Sequence, residues 1–205
     1  TQVNLMTHIS RARKERGAKL VVIDPYLTPT ARQADVHIRP RPGTDAALAC
    51  AVMHVLFRDG HADRDYMAEF TNDADLLETH LESRGPDWAS AITGISVDEI
   101  EALARDYGVT ERAIIRLGYG FSRSRNGSSG LHAVSCLPAV RGAWKHPGAG
   151  LYGSIGQNFN VNTSLVTGID DPGVRQLDMS RLGPILMDHP EPLNGGPPVT
   201  AMLVQ

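Results

Sequence analysis

Two aspartates in the first quarter of the chain occupy positions where carboxylates can meet a ligand. Asp24 directly follows the apolar run Leu20–Ile23, which predicts a strand buried on both faces of a parallel sheet. Asp45 opens a strongly apolar helical pattern. Ligands of α/β sheets bind beyond the carboxyl ends of the strands, so each carboxylate could accept hydrogen bonds from ribose hydroxyls or a base edge. The two acids together predict a nucleotide-shaped pocket.

The residues just before Asp45 are suited to a helix start beside a ligand. Thr44 is a natural N-cap, and Gly43 allows the backbone to come close to a bound molecule. Two interpretations of Asp45 stay open on this pattern. It is either a first-turn acid that interacts favourably with the helix dipole or a carboxylate directed at a ligand.

A third feature is the turn Gly118-Tyr119-Gly120, which follows a second apolar run, Ala113–Leu117, also predicted to be a buried strand. From Arg112 to Ile169 the sequence has no Asp or Glu but six basic residues. The whole chain carries −3 and this stretch +6, so the remainder carries −9. Such an asymmetry favours an anionic partner for the basic stretch. Its basic residues are Arg112, Arg116, Arg123, Arg125, Arg141 and Lys145.

The identity of that anion is open on the residues alone. A nucleic-acid surface would need interleaved aromatic residues and a denser basic face, which the stretch lacks. Glycine-rich turns with a few arginines suit a pyrophosphate, because backbone N–H groups and guanidinium groups can donate to its oxygens. The alternative is that the arginines pair with acids elsewhere in the fold, and a plain tight turn explains Gly118 and Gly120 equally well.

The succession of these motifs resembles the molybdopterin oxidoreductases of the dimethyl sulfoxide reductase and formate dehydrogenase type. The first motif is Val-Ile-Asp-Pro-x-x-Thr-x-Thr-Ala-x-x-Ala-Asp at residues 22–35, followed by Arg-Pro-Gly-Thr-Asp-Ala-Ala-Leu at 41–48. The glycine turn within residues 117–127 and the tripeptide Gly156-Gln157-Asn158 follow in the same order as in the family. The resemblance therefore covers nearly the whole chain.

This resemblance implies roles for individual residues toward a molybdopterin guanine dinucleotide. Asp24 and Asp45 would bind the guanosine, with backbone contacts from Ile23 and Gly43. The family usually has Arg where this chain has Tyr26, and a tyrosine supplies no charge to a phosphate. The loops that would approach the pterin and its phosphates contain Gly118, Gly120, Arg123, Gly156, Gln157 and Asn158. Arg123 stands where many relatives have Gln.

The resemblance also implies the fold and the chemistry. We expect a Rossmann-like α/β fold with a three-layer parallel sheet. Residues 1–117 would be the later part of a guanosine-binding domain, and residues 118–205 part of a second α/β domain contacting pterin and phosphates. The cofactor would hold Mo or W for two-electron redox chemistry, typical of anaerobic respiration. The metal ligand and a 4Fe-4S cluster are expected upstream, so no catalytic or metal-binding residue is assigned here. A scaffold of the same family that has lost the cofactor, and a free-standing guanine-nucleotide-binding module, are the alternatives.

Composition and patterning place these motifs on a globular framework. The chain has 205 residues, 41% hydrophobic and 21% charged, without a signal pattern or an apolar stretch long enough to cross a bilayer. Cys50 and Cys136 lie in apolar helical contexts and are expected to be free, buried thiols. The sequence starts within a helical pattern and stops within an apolar, strand-like run, which is typical of an excerpt. Helices are predicted at 3–17, 44–58, 63–71, 73–84, 97–108 and 129–144, with breaks at Gly85-Pro86 and Gly94.

The expected partners follow from the same interpretation. They are the rest of the chain's own polypeptide and an iron–sulfur electron-transfer subunit, with no nucleic acid and no direct membrane insertion. A cytoplasmic location is expected over a periplasmic one, and the fragment is expected to be inactive alone.

Overall fold

The computed structural model describes residues 3–153, 162 and 175–202. The chain divides into two compact units, Thr1–Ile155 and Gly156–Gln205. The domain boundary predicted between residues 117 and 118 stays a prediction. The candidate residues Gly156, Gln157 and Asn158 lie outside the described residues.

The first unit alternates helices with two pairs of short strands. Its strands are β1 (Val21–Ile23), β2 (Val36–Ile38), β3 (Ile114–Arg116) and β4 (Gly150–Tyr152). Its α-helices are α1 (Val3–Arg16), α2 (Asp45–Arg58), α3 (Arg64–Phe70), α4 (Ala74–Leu81), α5 (Pro86–Thr93), α6 (Val97–Val109) and α7 (Gly127–Val140).

Both strand pairs are parallel, which confirms the predicted α/β class. Val21 pairs with Val36 in the first sheet, and Ile114 pairs with Gly150 in the second. The second pair is a β–α–β unit, because α7 lies between its strands in the chain. In each pair the two carboxyl ends point the same way, so the loops after β1 and β2 leave from one edge, as do those after β3 and β4.

The strands are less buried than their apolar sequences predict. Ile23 is 45% exposed and Ile114 is 57% exposed, so the expectation of strands buried on both faces is wrong for this structure. Within residues 3–153, each strand has a single hydrogen-bonded neighbour. A two-stranded pair leaves much of its surface open, whereas the prediction assumed that helices cover both faces.

Helix α2 is the centre of the hydrophobic core. Its buried positions include Ala51, Val55 and Leu56, each 0% exposed, and α5, α6 and α7 pack around it. An apolar run with no polar face is stable only when it is covered on several sides, and this is what the sequence predicted for α2. Burying one Val or Leu side chain contributes about 1.5–3 kcal/mol. Helix α2 therefore fixes the position of the loop that leads into it.

The helix ends follow local sequence signals, with one surprise. Ser96 and Glu99 form a reciprocal capping box at the start of α6. The predicted break at Gly85-Pro86 and Gly94 instead bounds a helix, α5. Proline suits the first helical position because its missing N–H has no partner there, and Gly94 ends the helix at φ +76°. No helix within residues 3–153 and 175–202 is long and apolar enough to cross a membrane.

The second unit contains one short α-helix, α8 (Leu182–Leu186), within its described part. Two 3₁₀ turns flank it, at Met179–Arg181 and Glu191–Leu193, and an ion pair joins Arg181 to Glu191. Residues 196–202 have no regular secondary structure. The strand-like run expected near residues 199–204 is therefore absent as far as Met202.

Candidate functional site

The Asp24 carboxylate lies at the carboxyl end of β1, as predicted. The backbone N–H of Asp24 donates to the carbonyl of Ile38 at 3.0 Å, which extends the parallel pairing by one bond. Its Oδ1 accepts from the N–H of Tyr26 at 2.8 Å, and its carbonyl accepts from Nε2 of His37 at 2.9 Å. Across the described residues, no protein donor reaches Oδ2. One carboxylate oxygen therefore shapes the turn, and the other is available to a ligand.

Ile23 and Tyr26, which lie on either side of Asp24 in the sequence, are both exposed. Tyr26 is 76% exposed, so its ring is free to move against a ligand at the sheet edge. His37, in β2, is half-buried, and its Nε2 is hydrogen-bonded to the carbonyl of Asp24.

The turn before α2 has the backbone that the sequence predicts but not the expected cap. Gly43 has φ +78°, a conformation that favours glycine. Thr44 precedes the helix, yet its hydroxyl makes no capping hydrogen bond to α2. The hydroxyl donates instead to the carbonyl of Arg41 at 2.6 Å. Thr44 thus occupies the predicted N-cap position, but its side chain does not cap the helix, because the hydroxyl is held by this local acceptor.

Asp45 is a half-buried carboxylate in the first turn of α2. Burial raises its pKa above the ordinary carboxyl value, and a hydrogen bond from its own backbone N–H only partly opposes this. Among the described residues, no Lys, Arg or His forms an ion pair with it. Its Cβ lies 3.8 Å from where a Cβ would stand on Gly130, so the first turns of α2 and α7 are adjacent.

The loop after β3 is open at both predicted glycines. A Cβ built on Gly118 or Gly120 would have no atom of the described residues within 4 Å, and neither glycine has a positive φ. Residues Tyr119–Arg123 form a 3₁₀ turn rather than a tight two-residue turn. The backbone conformation therefore does not require these glycines, whereas close approach of another molecule would.

Asn126 joins the two predicted parts of the site. Its Nδ2 donates to the carbonyl of Gly43 at 2.7 Å, although the two residues are 83 positions apart in the chain. A Cβ on Gly43 would stand 3.3 Å from Oδ1 of Asn126. Sequence reasoning missed Asn126 as a site residue. The available signal was an asparagine immediately before the helix that starts at Gly127, a position where its side chain commonly bonds to backbone.

The glycines at the start of α7 are required by packing. A Cβ on Gly127 would come within 1.6 Å of the carbonyl oxygen of Phe121, so any other residue would displace the loop. A Cβ on Gly130 would meet the Phe121 ring at 3.3 Å. The 3₁₀ turn after β3 thus folds back onto α7 and is held beside the turn at Gly43.

The six cations of the basic stretch divide into two groups. Lys145 forms an ion pair with Asp63 at 2.5 Å, and Nε of Arg141 donates to the carbonyl of Gly108 at 2.7 Å. Arg112 lies 3.9 Å from Glu111, and Arg116 donates to the carbonyl of Leu117.

The remaining two cations, Arg123 and Arg125, lie on the loop between β3 and α7. Both are exposed, and neither has a carboxylate partner in the part of the chain that the structure describes. Within the described residues, pairing with acids therefore accounts for Lys145 and Arg112 but not for Arg123 and Arg125, which lie beside the open glycines.

The candidate residues form two groups at loop ends. Ile23, Asp24 and Tyr26 make the first, and the second is built from the Gly43–Asp45 turn and the loop from Gly118 to Arg123. Within the described residues no hydrogen bond joins the groups. The backbone N–H of Asp24 is hydrogen-bonded to the carbonyl of Ile38. From Ile38 to Gly43 the chain advances five residues, which span at most about 17 Å when fully extended. That limit is compatible with one nucleotide-sized ligand contacting both.

Asp35 and His54 have structural roles. Asp35 accepts from the N–H of Leu20 and from Arg13, and these bonds lower its pKa, the backbone bond most. Nδ1 of His54 bonds to the carbonyl of Leu81 at 2.9 Å. No cluster of three His, Cys, Asp or Glu among the described residues could hold a metal ion.

Both cysteines are free and half-buried, as expected. Burial raises the pKa of each thiol, which keeps it protonated near neutral pH and unreactive. Sγ of Cys136 lies 3.9 Å from Nε2 of His132, but the raised pKa argues against an activated thiolate.

Comparison with known proteins identifies the family of the chain. A family model described as molybdopterin oxidoreductase matches residues 1–181. The chain is 35% identical over 199 residues to the probable oxidoreductase YoaE of Bacillus subtilis, covering 94% of this chain and 29% of that protein. It is 34% identical over 145 residues to the alpha subunit of F420-dependent formate dehydrogenase 1 of Methanococcus maripaludis, covering 71% and 22%.

Two further relatives extend the comparison. Dimethyl sulfoxide reductase DmsA of Escherichia coli is 32% identical over 155 residues, covering 66% of this chain and 19% of that protein. The solved structure of acetylene hydratase from Pelobacter acetylenicus superposes with a TM-score of 0.63 at 27% identity, covering 67% of this chain and 19% of that one. The chain thus spans less than a third of the length of each of these relatives. It belongs to the molybdopterin oxidoreductase family.

Proposed function

We propose that this chain is part of an oxidoreductase that uses a molybdopterin guanine dinucleotide with Mo or W. Asp24 and Asp45 accept hydrogen bonds from the guanosine end, and Ile23 and Gly43 offer backbone groups. Gly118, Gly120 and Arg123 face the phosphates. Gly156, Gln157 and Asn158 belong to the same proposal through the resemblance alone.

The observation that carries the proposal is the contact between the Gly43 turn and the loop after β3. The Asn126–Gly43 hydrogen bond and the packing of Asp45 beside Gly130 bring a carboxylate next to a loop with two arginines. Within the described residues, Asp45 has no cation partner and the two arginines have no carboxylate partner. A guanine nucleotide has donors on its base and negative charge on its phosphates. The arrangement is therefore complementary to such a molecule at both ends.

The environment of the Asp45 carboxylate is complementary to the guanine base. Guanine presents N1–H and N2–H₂ side by side, and a carboxylate can accept from both. Folding has buried Asp45 without a cation, which is why its pKa is raised. A neutral pair of donors would satisfy the carboxylate oxygens without placing a second charge in the site.

The loop after β3 suits the phosphates. Open glycines allow backbone N–H groups to approach phosphate oxygens closely, and arginine offers two parallel donors. The open space around Gly118 and Gly120 and the exposure of Arg123 and Arg125 support this assignment. Tyr26 cannot add charge, so this loop carries the phosphate contacts in the proposal.

The family implies a molybdenum or tungsten pterin cofactor, and the metal in it supplies the two-electron chemistry when bound. The residues of this chain bind and orient the remote end of that cofactor. No catalytic residue is assigned to them, and they supply no metal ligand. A 4Fe-4S cluster and the metal ligand belong, in this proposal, to the rest of the polypeptide.

The proposed partners are that polypeptide and an iron–sulfur electron-transfer subunit, without nucleic acid. We expect the fragment alone to be inactive. A cytoplasmic location stays a prediction.

The proposal is tested on the purified full-length protein. Acid hydrolysis should release guanosine monophosphate in proportion to bound Mo or W, measured by chromatography and by elemental analysis of the same sample. A cytidine nucleotide, or metal without any nucleotide, would contradict the guanine form. Absence of both metal and nucleotide in protein that contains iron would favour the cofactor-free scaffold. Tight binding of GDP without any pterin would favour the nucleotide-binding module.

A further inference from the structure

Arg41 connects the turn at Gly43 to the end of another helix. Its Nη1 donates to the carbonyl of Ala91 at 3.0 Å and to that of Ile92 at 3.2 Å, both in the last turn of α5. Its backbone N–H donates to the carbonyl of Thr93 at 2.8 Å. The last carbonyls of a helix have no partner within the helix, and a cation there is favoured by the helix dipole. Arg41 therefore binds three of these carbonyls at once.

Gly94 provides the space for this contact. It ends α5 at φ +76°, and a Cβ built on it would stand 3.2 Å from Nε and 3.4 Å from Cζ of Arg41. The guanidinium thus lies directly against the glycine. A larger residue at this position would be strained by its backbone conformation and would also press on the arginine.

The backbone carbonyl of Arg41 contacts the turn that contains Gly43 and Thr44. Its carbonyl accepts from Oγ1 of Thr44 at 2.6 Å and from the N–H of Thr44 at 3.2 Å. Gly43 lies between these bonded residues, and Asp45 follows immediately. The turn that presents the guanosine-binding groups is therefore closed by the same residue that binds α5.

Helix α5 is a firm anchor. Ala89 and Thr93 are both 0% exposed, and α5 packs against α2 and α6. Oγ1 of Thr93 donates to the carbonyl of Ala89 at 2.8 Å and accepts from the N–H of Ile95 at 3.2 Å. The carbonyls that Arg41 binds thus belong to the well-packed helix α5. The contacts of Arg41 therefore fix the Gly43–Asp45 turn relative to that helix.

We propose that Arg41 is a positioning residue that holds the Gly43–Asp45 turn in the conformation that receives the guanosine end of the cofactor. This inference rests on the function proposed above. Without the contacts of Arg41, the turn samples other conformations and binding must order it again, which weakens retention of the cofactor. The side chain is exposed, so its loss leaves the core of α2 intact.

The test uses the full-length holoenzyme with Arg41→Ala and Arg41→Lys. We expect Arg41→Ala to raise the rate of cofactor loss roughly fivefold, as for removal of exposed charge-assisted hydrogen bonds. Lysine keeps the charge and one donor position, so Arg41→Lys should restore part of the retention. Hydrogen exchange of the amides at residues 43–48, measured in protein stripped of cofactor, should accelerate in Arg41→Ala.

Two arginines provide matched controls. Arg39 is exposed two residues earlier and has no polar partner in the described part of the chain, so Arg39→Ala should change neither readout. Arg84 donates to the carbonyl of His80 at the end of α4 and lies 5.9 Å from the Trp88 ring centroid. Its replacement removes a comparable helix-end contact without touching the turn.

The outcomes separate this inference from the proposed function. If the wild-type protein holds no guanine nucleotide, the proposed function fails. Unchanged exchange at residues 43–48 in Arg41→Ala would overturn the positioning role independently. If the wild-type protein holds the nucleotide and Arg41→Ala retains it as well, only the inference is overturned. A lower melting temperature with unchanged exchange and retention would show a merely structural role and would also overturn it.

Discussion

The helical surface of the first unit and its candidate site differ in how their charged side chains are paired. On the surface, Arg58 donates to both carboxylate oxygens of Glu101 at 2.8 and 2.7 Å, and Arg64 binds Glu78 in the same two-bond manner. The arginine hydrogen bond lowers the pKa of each of these two glutamates. At the candidate site, no cation among the described residues forms an ion pair with Asp45. Among the described carboxylates with a shifted pKa, it is the one whose pKa is raised.

This difference shows which charged groups have no charged partner within the described part of the fold. A charge that folding itself must stabilise acquires a partner within the chain, as Glu101 does. A carboxylate kept half-buried without a partner costs stability, and such costs concentrate at functional sites. The same contrast holds for cations, since Lys145 is paired with Asp63 whereas Arg123 is not paired with any carboxylate in the described residues.

The two regions should also respond to pH with opposite signs. The folded pKa of Glu101 is depressed, so its contribution to stability is present above the unfolded pKa and is lost as pH falls through the folded pKa. The folded pKa of Asp45 is raised above the ordinary value of an aspartate carboxyl. Its burial therefore reduces stability as pH rises from the unfolded pKa through the folded one.

The largest effect is expected for Asp45→Asn in the full-length protein. An asparagine presents an NH₂ toward the donors of guanine and loses the charge, so retention should fall by about 100-fold, the value of a good charged bidentate contact. The cofactor-free form should melt at a higher temperature, because the buried charge is gone. Nucleotide content and calorimetry measure the two effects.

Asp98, which lies in the first turn of α6, is the matched control for Asp45. Asp98→Asn should leave nucleotide content unchanged and slightly lower the melting temperature, because it removes a favourable helix-dipole interaction. Full nucleotide content in Asp45→Asn, or a lower melting temperature of its cofactor-free form, would remove the contrast between the two regions.

A smaller loss is expected for Asn126→Asp. The substitution keeps the shape of the side chain, removes the donor to Gly43 and places a negative charge next to that carbonyl. We expect about tenfold weaker retention, from loss of the bond and repulsion at the acceptor. Asn72→Asp adds the same charge at an exposed position and serves as the control. Equal retention in both variants would mean that the contact between the two turns is irrelevant to binding.

The effect of Arg123→Ala should depend on salt. At low ionic strength we expect roughly fivefold faster cofactor loss, and the difference from wild type should shrink at high salt, where an exposed charge is screened. Arg112→Ala, at an exposed arginine 3.9 Å from Glu111, is the control. A salt-independent difference between Arg123→Ala and wild type would argue against a phosphate contact.

The smallest effect is expected in the paired region. Glu101→Gln should reduce the free energy of unfolding by about 0.5 kcal/mol near neutral pH, the usual value of a partly exposed pair, and should leave cofactor content unchanged. The difference should disappear as pH falls through the lowered pKa of Glu101. Urea denaturation at several pH values measures it. A loss of cofactor in this variant would mean that the two regions are coupled.

Sequence patterns predicted the parts of this fold that depend on local chemistry. The apolar run from Ala46 predicted a buried helix, and α2 is one. The β-branched run before Asp24 predicted a strand correctly but its burial wrongly, because burial depends on what covers the strand. The Gly85-Pro86 pair was interpreted as a break, although proline is equally suited to begin a helix, as it does in α5.

The site was predictable residue by residue but not as an assembly. The positions of Asp24, Gly43 and Asp45 at strand and helix ends follow from their neighbours in the sequence. The Asn126–Gly43 bond spans 83 residues, and no local pattern indicates such a contact. The hydroxyl of Thr44 donates to the carbonyl of Arg41 instead of accepting from an N–H of the first turn of α2, and only the folded turn decides between these two arrangements.

The most direct test of the central claim, that Asp45 receives guanine, is the pH dependence of cofactor release from wild-type and Asp45→Asn full-length protein. If Asp45 receives guanine, the N–H donors of the base stabilise the ionised carboxylate and lower its pKa relative to that of the empty site, so wild-type release should accelerate as pH falls through the pKa of Asp45 in the complex. Release from Asp45→Asn should be fast and nearly independent of pH over the same interval. Parallel pH profiles for the two proteins would contradict the account.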